Sequence, residues 1–217
     1  MNSPTSQLGS IFILTLQVSG TAVLISTLIG VPLGVWMGLT RFRAKRIATA
    51  LVHTGMALPP VVVGLLLYII LSRSGPLSGW GWLFTPQAMI LAQIILDLPF
   101  VVGITMAAIA AVPTELSWQL RSIGATPRQA RREIVREARG GIILAISTAF
   151  GRSLSEVGAV WLVGGNIAGQ TRVLTTAIVL ETGQGNFTVA LMLGGILLGV
   201  ALAINLVILR YQGRPLP

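Results

Sequence analysis

The feature that most limits the fold is an uncharged, largely apolar run from residue 11 to residue 39. A helix needs only about 20 apolar residues to cross the hydrocarbon core of a bilayer, and further runs of this kind follow along the chain. The 217 residues are 53% hydrophobic and 10% charged, with a mean hydropathy of +0.84. Soluble domains carry roughly 25% charged residues. The sequence therefore predicts an integral membrane protein built of α-helices.

Five spans are predicted from the alternation of apolar and polar segments. They cover roughly residues 11–39, 47–71, 83–112, 140–163 and 187–209. Residues 173–180 are apolar but too short to cross a bilayer. We expect them to form a re-entrant or lateral helix within an outer loop at 164–186. The fold class is thus all-α, with one transmembrane domain over residues 1–217 that contains five helices, or six.

Glycine and proline residues mark special points within two spans. Gly30, Gly34 and Gly38 recur every fourth position and strip one helix face of side chains. This face suits either close helix packing or a moving hinge, and we favour packing. In the second span Pro60 forces Pro59 out of helical geometry, which exposes carbonyl groups at membrane depth. Pro59 and Pro60 therefore either line a pathway or form a structural kink, and the sequence leaves both open.

The distribution of lysine and arginine predicts the orientation in the membrane. Twelve of the fifteen lie in residues 41–46, in residues 113–139 or in the tail from Arg210, whereas Arg73 and Arg172 fall on the opposite side. Cytoplasmic loops carry the excess of basic residues. We therefore expect an outside N-terminus, a cytoplasmic C-terminus and a cytoplasmic loop at 113–139.

Several classes of function find no support in the composition. The chain contains no cysteine and one histidine, His53, so metal sites lack their usual ligands. The net charge of +9 is dispersed between apolar spans, which does not indicate nucleic-acid binding. No GxxxxGK[ST] sequence is present, so the chain has no P-loop for nucleotide phosphates. We expect no catalytic site, no metal site and no cofactor bound by this chain.

The polar segment at residues 113–139 holds six of the fifteen basic and three of the six acidic residues. Gly124 can end one helix in a left-handed conformation, Thr126 can cap the next helix, and Pro127 suits its first position. The segment is therefore predicted to form two short helices set at an angle. Its arginines either hold lipid phosphates or belong to a docking surface for a soluble partner, which is the sharper hypothesis.

Three charged residues lie within predicted spans, where charges are costly and generally paired. Asp97 lies beside Pro99, and Arg152 and Glu156 are four residues apart on one predicted helix face. Arg152 could stabilise an oxyanion in a pore, or it could be neutralised by Glu156 and Asp97. We favour the structural network of the three charges.

The outer loop offers a second candidate contact for an anion. The backbone N–H groups of Gly164 and Gly165 can turn toward one point, as in backbone concavities that bind oxyanions. Further donors follow at Asn166, Thr171, Arg172, Thr175 and Thr176. The loop either contacts substrate or gates the cavity without contacting it, and the sequence leaves both open.

Two stretches resemble the permeases of ABC importers. Gly124, followed ten residues later by Ile134, matches the core of the loop motif of such permeases. Trp118-Gln119-Leu120 replaces the Glu-Ala-Ala of that motif, and Arg136-Glu137 replaces its Leu-Pro. The denser resemblance covers residues 151–183 and is similar to molybdate, sulfate and tungstate permeases. Its sequences Ser-Glu-Val-Gly-Ala-Val, Val-Gly-Gly-Asn-Ile-Ala-Gly and Thr-Thr-Ala-Ile-Val-Leu-Glu-Thr look most like the tungstate branch.

The resemblance implies a type I ABC-importer permease that works as a homodimer, surrounded by lipid, in a bacterial or archaeal cytoplasmic membrane. Two cytoplasmic ATPase subunits would bind ATP and Mg²⁺ and would hold the permease loops. Tungstate would arrive on an extracytoplasmic binding protein. The residues expected to couple the permease to its ATPases are Gly124, Ala125, Thr126, Pro127, Arg128 and Ile134.

Other substrates and another class of transporter stay open as alternatives. Molybdate and sulfate are tetrahedral dianions like tungstate, so the permease sequence does not separate the three firmly. An ATP-independent secondary transporter or a membrane scaffold would be a different class of protein. Secondary transporters are commonly built from internal repeats, and we find no convincing repeat in this sequence.

Overall fold

The computed structural model describes residues 4–212, and every regular element in that range is helical. The α-helices are α1 (Pro4–Leu39), α2 (Lys45–Met56), α3 (Pro60–Leu71), α4 (Pro86–Ala110), α5 (Thr114–Ser122), α6 (Pro127–Glu137), α7 (Arg139–Ser155), α8 (Gly158–Gly164), α9 (Leu174–Gly183) and α10 (Phe187–Gln212). A 3₁₀ turn at Ser78–Trp80 lies between α3 and α4. The two ends of the predicted domain, 1–3 and 213–217, lie outside the described residues.

Up to five spans are available within the described residues, which agrees with the five predicted from the sequence. Helices α1, α4 and α10 are each long and apolar enough to cross a membrane. Two further pairs satisfy the same test when each pair is taken as one bent span: α2 with α3, bent by 94°, and α7 with α8, bent by 56°. Helix α9 has 10 residues and is apolar. It is too short to cross a bilayer, as expected for residues 173–180.

Helices α1 and α4 form the central pair of the bundle. The glycine face of α1 lies directly against α4, and a Cβ atom at Gly34 would lie 2.7 Å from the carbonyl oxygen of Val102. Cβ atoms at Gly30 and Gly38 would meet α4 side chains at 2.8 Å and 2.6 Å. Small residues let two helix backbones approach in this way. The packing interpretation of the glycine stripe is therefore confirmed.

The main apolar core lies where α1, α3, α4 and α8 meet. Its buried side chains include Val18, Val63, Leu67, Met89, Leu96, Val160 and Val163. A smaller cluster joins α9 to α10 through Leu174, Ala177 and Leu193. The core thus joins α3 and α8, the second halves of the two broken spans, to the central helices, and α9 packs on the final span.

The break predicted at Pro59 and Pro60 is present. Helix α2 ends at Met56, Pro59 is extended with a ψ of 124°, and Pro60 occupies the first turn of α3. The Pro59 carbonyl accepts hydrogen bonds from the N–H groups of Val62 and Val63 at 3.0 and 3.2 Å. The chain therefore turns sharply at this point while the start of α3 stays hydrogen-bonded.

Candidate functional site

The turn between α5 and α6 has the conformation that the sequence predicts. Gly124 has a φ of +85°, in the left-handed region that favours glycine. The Gly124 N–H donates to the Arg121 carbonyl at 3.0 Å, and the Ala125 N–H donates to the Leu120 carbonyl at 2.9 Å. These two bonds form a Schellman motif, which satisfies the last carbonyl groups of α5. Gly124 is thus required by the backbone of the turn.

Helix α6 starts with a complete capping box. Thr126 Oγ1 accepts a hydrogen bond from the Gln129 N–H at 3.4 Å, and Gln129 Oε1 accepts one from the Thr126 N–H at 2.7 Å. Pro127 occupies the first helical position, where no N–H is needed. The predicted helix–break–helix shape is confirmed, and it fixes the angle at which α6 leaves α5.

The α5–α6 segment presents both apolar and basic side chains to its surroundings. Trp118 is 69% exposed and Ile123 is 80% exposed. Ile134 is half-buried. The exposed arginines of the segment are Arg121, Arg128, Arg131, Arg132 and Arg136. Large apolar side chains flanked by arginine are typical of a protein–protein contact.

The two broken spans meet close to their breaks. A Cβ atom at Gly158, the first residue of α8, would lie 2.8 Å from Val61 Cγ2 in the first turn of α3. A Cβ atom at Gly64 would lie 2.7 Å from Ala159 Cα. The interrupted backbones of both spans are therefore brought together, as in transporters whose discontinuous helices form the substrate path.

Glu156 forms the break between α7 and α8. Its backbone is extended with a ψ of 129°, and its Oε1 accepts a hydrogen bond from the Ala159 N–H at 3.0 Å. The Glu156 carbonyl accepts a hydrogen bond from Thr175 Oγ1 at 2.9 Å. The expectation that Glu156 follows Arg152 on one helix face is wrong, because α7 ends at Ser155 and the carboxylate turns to the first amides of α8.

The start of the outer loop is tightly packed. A Cβ atom at Gly164 would lie 2.9 Å from Met89 Sδ, and one at Gly165 would lie 2.8 Å from the Phe84 ring. Gly165 has a φ of +71° and ends α8 in the left-handed conformation. Asn166 follows with a φ of +50°. The loop therefore turns back beside α4, where there is no room for side chains at the two glycines.

Thr171 closes this loop. Its hydroxyl accepts a hydrogen bond from the Ile167 N–H at 2.9 Å and donates one to the Gly164 carbonyl. The Gly165 N–H donates to the Trp161 carbonyl at 2.9 Å. Of the two glycines expected to offer N–H groups to an anion, Gly165 thus donates to α8, and Gly164 lies within α8 as its last residue. These positions favour the gating hypothesis over direct contact with substrate.

Arg172 and the two threonines after it also bond to neighbouring parts of the chain. Arg172 donates from Nε to Asn166 Oδ1 at 3.3 Å and from a terminal nitrogen to the Asn166 carbonyl at 3.4 Å. Thr176 Oγ1 accepts the Val173 N–H at 3.0 Å. These contacts close the loop on itself, and the Thr175 bond to the Glu156 carbonyl fastens it to the α7–α8 break.

Arg152 pairs with Asp97 but at long range. Arg152 Nε lies 3.9 Å from Asp97 Oδ1, and the guanidinium carbon lies 4.7 Å from the centre of the Phe100 ring. Asp97 is 1% exposed, and within residues 4–212 neither of its carboxylate oxygens has a hydrogen-bond partner. Within the predicted network Asp97 and Arg152 therefore form the closest pair. The charge of Glu156 also acts on Asp97, but its carboxylate accepts its hydrogen bond from the first turn of α8.

Uncharged polar residues join the same region and were not singled out from the sequence. Gln93, one turn before Asp97, donates to the Ser153 carbonyl at 2.9 Å and to Ser19 Oγ at 3.4 Å. On α1, Thr15 Oγ1 accepts the Leu174 N–H at 2.9 Å. A glutamine inside an apolar span was the available signal, because buried polar groups need partners.

Comparison with known proteins identifies the family. Residues 30–213 match the family described as "Binding-protein-dependent transport system inner membrane component". The chain belongs to this family. The permease is 43% identical to a probable anion ABC transporter permease protein of Haloferax volcanii, over 94% of this chain and 90% of the relative. It is 39% identical to the tungstate uptake system permease protein TupB of Peptoclostridium acidaminophilum, over 95% and 90%.

A solved structure agrees with the fold of the permease. The inward-facing MetNI methionine ABC transporter contains a chain that superposes with a TM-score of 0.77 at 24% identity, covering 98% of both chains. At this level of identity the likeness concerns the fold alone. The expected type I importer bundle, with its broken spans and its α5–α6 segment, is therefore the fold of this permease.

Proposed function

We propose that the permease imports tungstate across the cytoplasmic membrane, as the membrane-spanning half of an ATP-driven importer. The observation that carries this proposal is the similarity, along nearly the whole chain, to a permease named for tungstate uptake. The relative named as an anion permease supports the same class of substrate. A homodimer would form the path, and an extracytoplasmic binding protein would deliver the anion.

The α5–α6 segment is the proposed contact with the ATPase subunits. Gly124, Ala125, Thr126, Pro127, Arg128 and Ile134 would form or position the docking surface. The rigid turn at Gly124, the capped start of α6 and the exposed Trp118 and Ile123 support this role. Each ATPase would bind ATP and Mg²⁺, and its movement would reach the bundle through α7, which begins two residues after α6 ends.

The broken spans are the proposed wall of the pathway. Pro59 and Pro60 lie at one break, and the gate would be the loop that carries Gly164, Gly165, Asn166, Thr171 and Arg172. Exposure of Pro59 and the approach of α3 to α8 support this arrangement. In the gate, Arg172 would hold the turn at Asn166 closed, with no contact to the anion.

Replacing Arg172 by alanine tests the gate. We expect the Arg172→Ala transporter to take up tungstate at a changed rate while its half-saturating tungstate concentration stays the same, because the guanidinium supports a turn and does not bind the anion. A change in the half-saturating concentration would instead favour direct contact. An unchanged rate and concentration would remove Arg172 from the pathway.

The substrate is tested by competition. Proteoliposomes that contain the permease, its ATPase and its binding protein are given labelled tungstate with a tenfold excess of unlabelled tungstate, molybdate or sulfate. We expect ATP-dependent uptake that unlabelled tungstate suppresses most strongly. Stronger suppression by molybdate or sulfate would reassign the substrate, and uptake without ATP would make the protein a secondary transporter.

A further inference from the structure

The side chain of Arg152 has two differently placed edges. On the inner edge, Nε is buried and has no hydrogen-bond partner among the described residues, and it lies 3.9 Å from Asp97 Oδ1. Hydrogen-bonded pairs of guanidinium and carboxylate are closer, at about 2.7–2.9 Å. The side chain is still 23% exposed. The Asp97 contact therefore leaves most of the hydrogen-bonding capacity of the guanidinium unused.

The surroundings of Arg152 orient the other edge. Phe100 stacks on the guanidinium, 4.7 Å from ring centre to Cζ, which holds its plane. One turn before and one turn after Arg152 on α7 lie Thr148 and Ser155, which are half-buried and exposed. Exposed polar side chains and an arginine on a spanning helix face a water-filled space more favourably than lipid. This part of α7 is therefore better suited to border an aqueous path than to face lipid.

Arg152 also lies next to the point where the spans break. It is three residues before the end of α7, and the break at Glu156 packs against the first turn of α3. The other arginine of the candidate pathway, Arg172, already uses two of its nitrogens on Asn166. Of the two, Arg152 is the one whose terminal nitrogens make no hydrogen bond within residues 4–212.

We infer that Arg152 is a transient contact for the translocated oxyanion, an inference that rests on the proposed import of tungstate. The terminal nitrogens of the guanidinium can take two oxygens of a tetrahedral dianion side by side. Asp97, behind the guanidinium, opposes the anion and keeps the contact weak. Conduction requires such weak binding, because an anion held tightly would not leave the path.

A double variant separates this role from simple neutralisation of Asp97. In Asp97→Asn with Arg152→Gln both charges are removed; asparagine keeps the size of aspartate, and glutamine is a shorter neutral polar side chain. We expect the complex with ATPase to assemble and to hydrolyse ATP when the loaded binding protein is added, while tungstate uptake falls about ten- to a hundredfold, the value of a hydrogen bond to a charged group. If Arg152 serves only to neutralise Asp97, the double variant takes up tungstate like the wild type, and the inference is wrong.

Two single variants keep the test decisive if the double variant does not assemble. Arg152→Lys preserves the positive charge but loses the planar pair of donors, and we expect reduced tungstate uptake with normal assembly.

Asp97→Asn leaves the guanidinium unopposed, so equilibrium dialysis of the purified complex should show tighter tungstate binding alongside slower uptake. Wild-type uptake in the lysine variant, or unchanged tungstate binding in the asparagine variant, would overturn the inference. A wild-type complex that imports no tungstate, molybdate or sulfate overturns the proposed function as well.

Discussion

Gly34 shows how a single hydrogen in place of a side chain determines the approach of two helices. A methyl group at this position would lie 2.7 Å from the Val102 carbonyl oxygen and 2.8 Å from Thr105 Cβ. We expect Gly34→Ala to lower the free energy of unfolding by about 1–3 kcal/mol, because α1 must move away from α4. The measurement is the midpoint of thermal denaturation of the purified transporter in detergent.

Gly20 provides the matched control on the same helix. Within the described part of the chain, a Cβ atom at Gly20 would have no heavy atom within 4 Å beyond its own helix and chain neighbours. We therefore expect Gly20→Ala to leave the midpoint unchanged or to raise it slightly, since alanine favours helix over glycine. Equal losses in the two variants would show that the α1–α4 approach is not limited by these contacts.

The role of Thr171 depends on its hydroxyl group. Its hydroxyl joins the Ile167 N–H to the Gly164 carbonyl, and the residue is 1% exposed. Thr171→Val keeps the shape and leaves both groups without this partner, so we expect a loss of about 1–3 kcal/mol. Thr171→Ser keeps the hydroxyl and should restore most of the thermal midpoint. A serine variant no more stable than the valine variant would argue against the hydrogen bonds.

At the scale of elements, the α7–α8 break depends on one carboxylate. Glu156 Oε1 accepts the Ala159 N–H at 3.0 Å, and the residue is 8% exposed. We expect Glu156→Leu to destabilise the purified transporter by about 1.5–3 kcal/mol, the range for hydrogen bonds to charged groups. Glu156→Gln retains an acceptor oxygen and should lose less. Both losses are measured as shifts of the thermal midpoint. Equal losses in the two variants would contradict this role of the carboxylate.

The two breaks differ in how far the sequence could predict them. Pro59 and Pro60 interrupt the second span through their own covalent geometry, so the break follows from local sequence. The break at Glu156 requires Thr175 and Ala159 to bond to that residue. Thr175 lies nineteen residues further along the chain, and no local rule brings it there. The sequence instead suggested a continuous helix with Arg152 and Glu156 on one face.

The α5–α6 segment was the most predictable part of the candidate site. A left-handed glycine, a capping threonine and an N1 proline act within a few residues of one another, and all three take the predicted conformations. The outer loop was less predictable, because its glycines are required by Met89 and Phe84 on and beside α4. Side chains distant in sequence thus decided where the loop could carry only glycine, whereas its N–H groups bond to Thr171 and Trp161 nearby in the chain.

For the whole molecule, the orientation in the membrane can be tested directly because the chain contains no cysteine. Ser122 and Ser74 are both exposed and lie on opposite sides in the proposed topology. In right-side-out vesicles, a membrane-impermeant maleimide should label Ser74→Cys and should label Ser122→Cys only after the membrane is opened. The reverse pattern would invert the proposed orientation.

The central claim is that the α5–α6 segment couples tungstate import to a partner ATPase. The most direct measurement compares ATP hydrolysis and tungstate uptake in proteoliposomes that contain the ATPase, the binding protein and either wild-type permease or Gly124→Glu. Gly124→Asn is the control, since asparagine tolerates the left-handed conformation that the turn requires. We predict that Gly124→Glu abolishes uptake while ATP hydrolysis and the folded bundle persist, and that Gly124→Asn still transports. Undiminished ATP-driven uptake by Gly124→Glu would contradict the account.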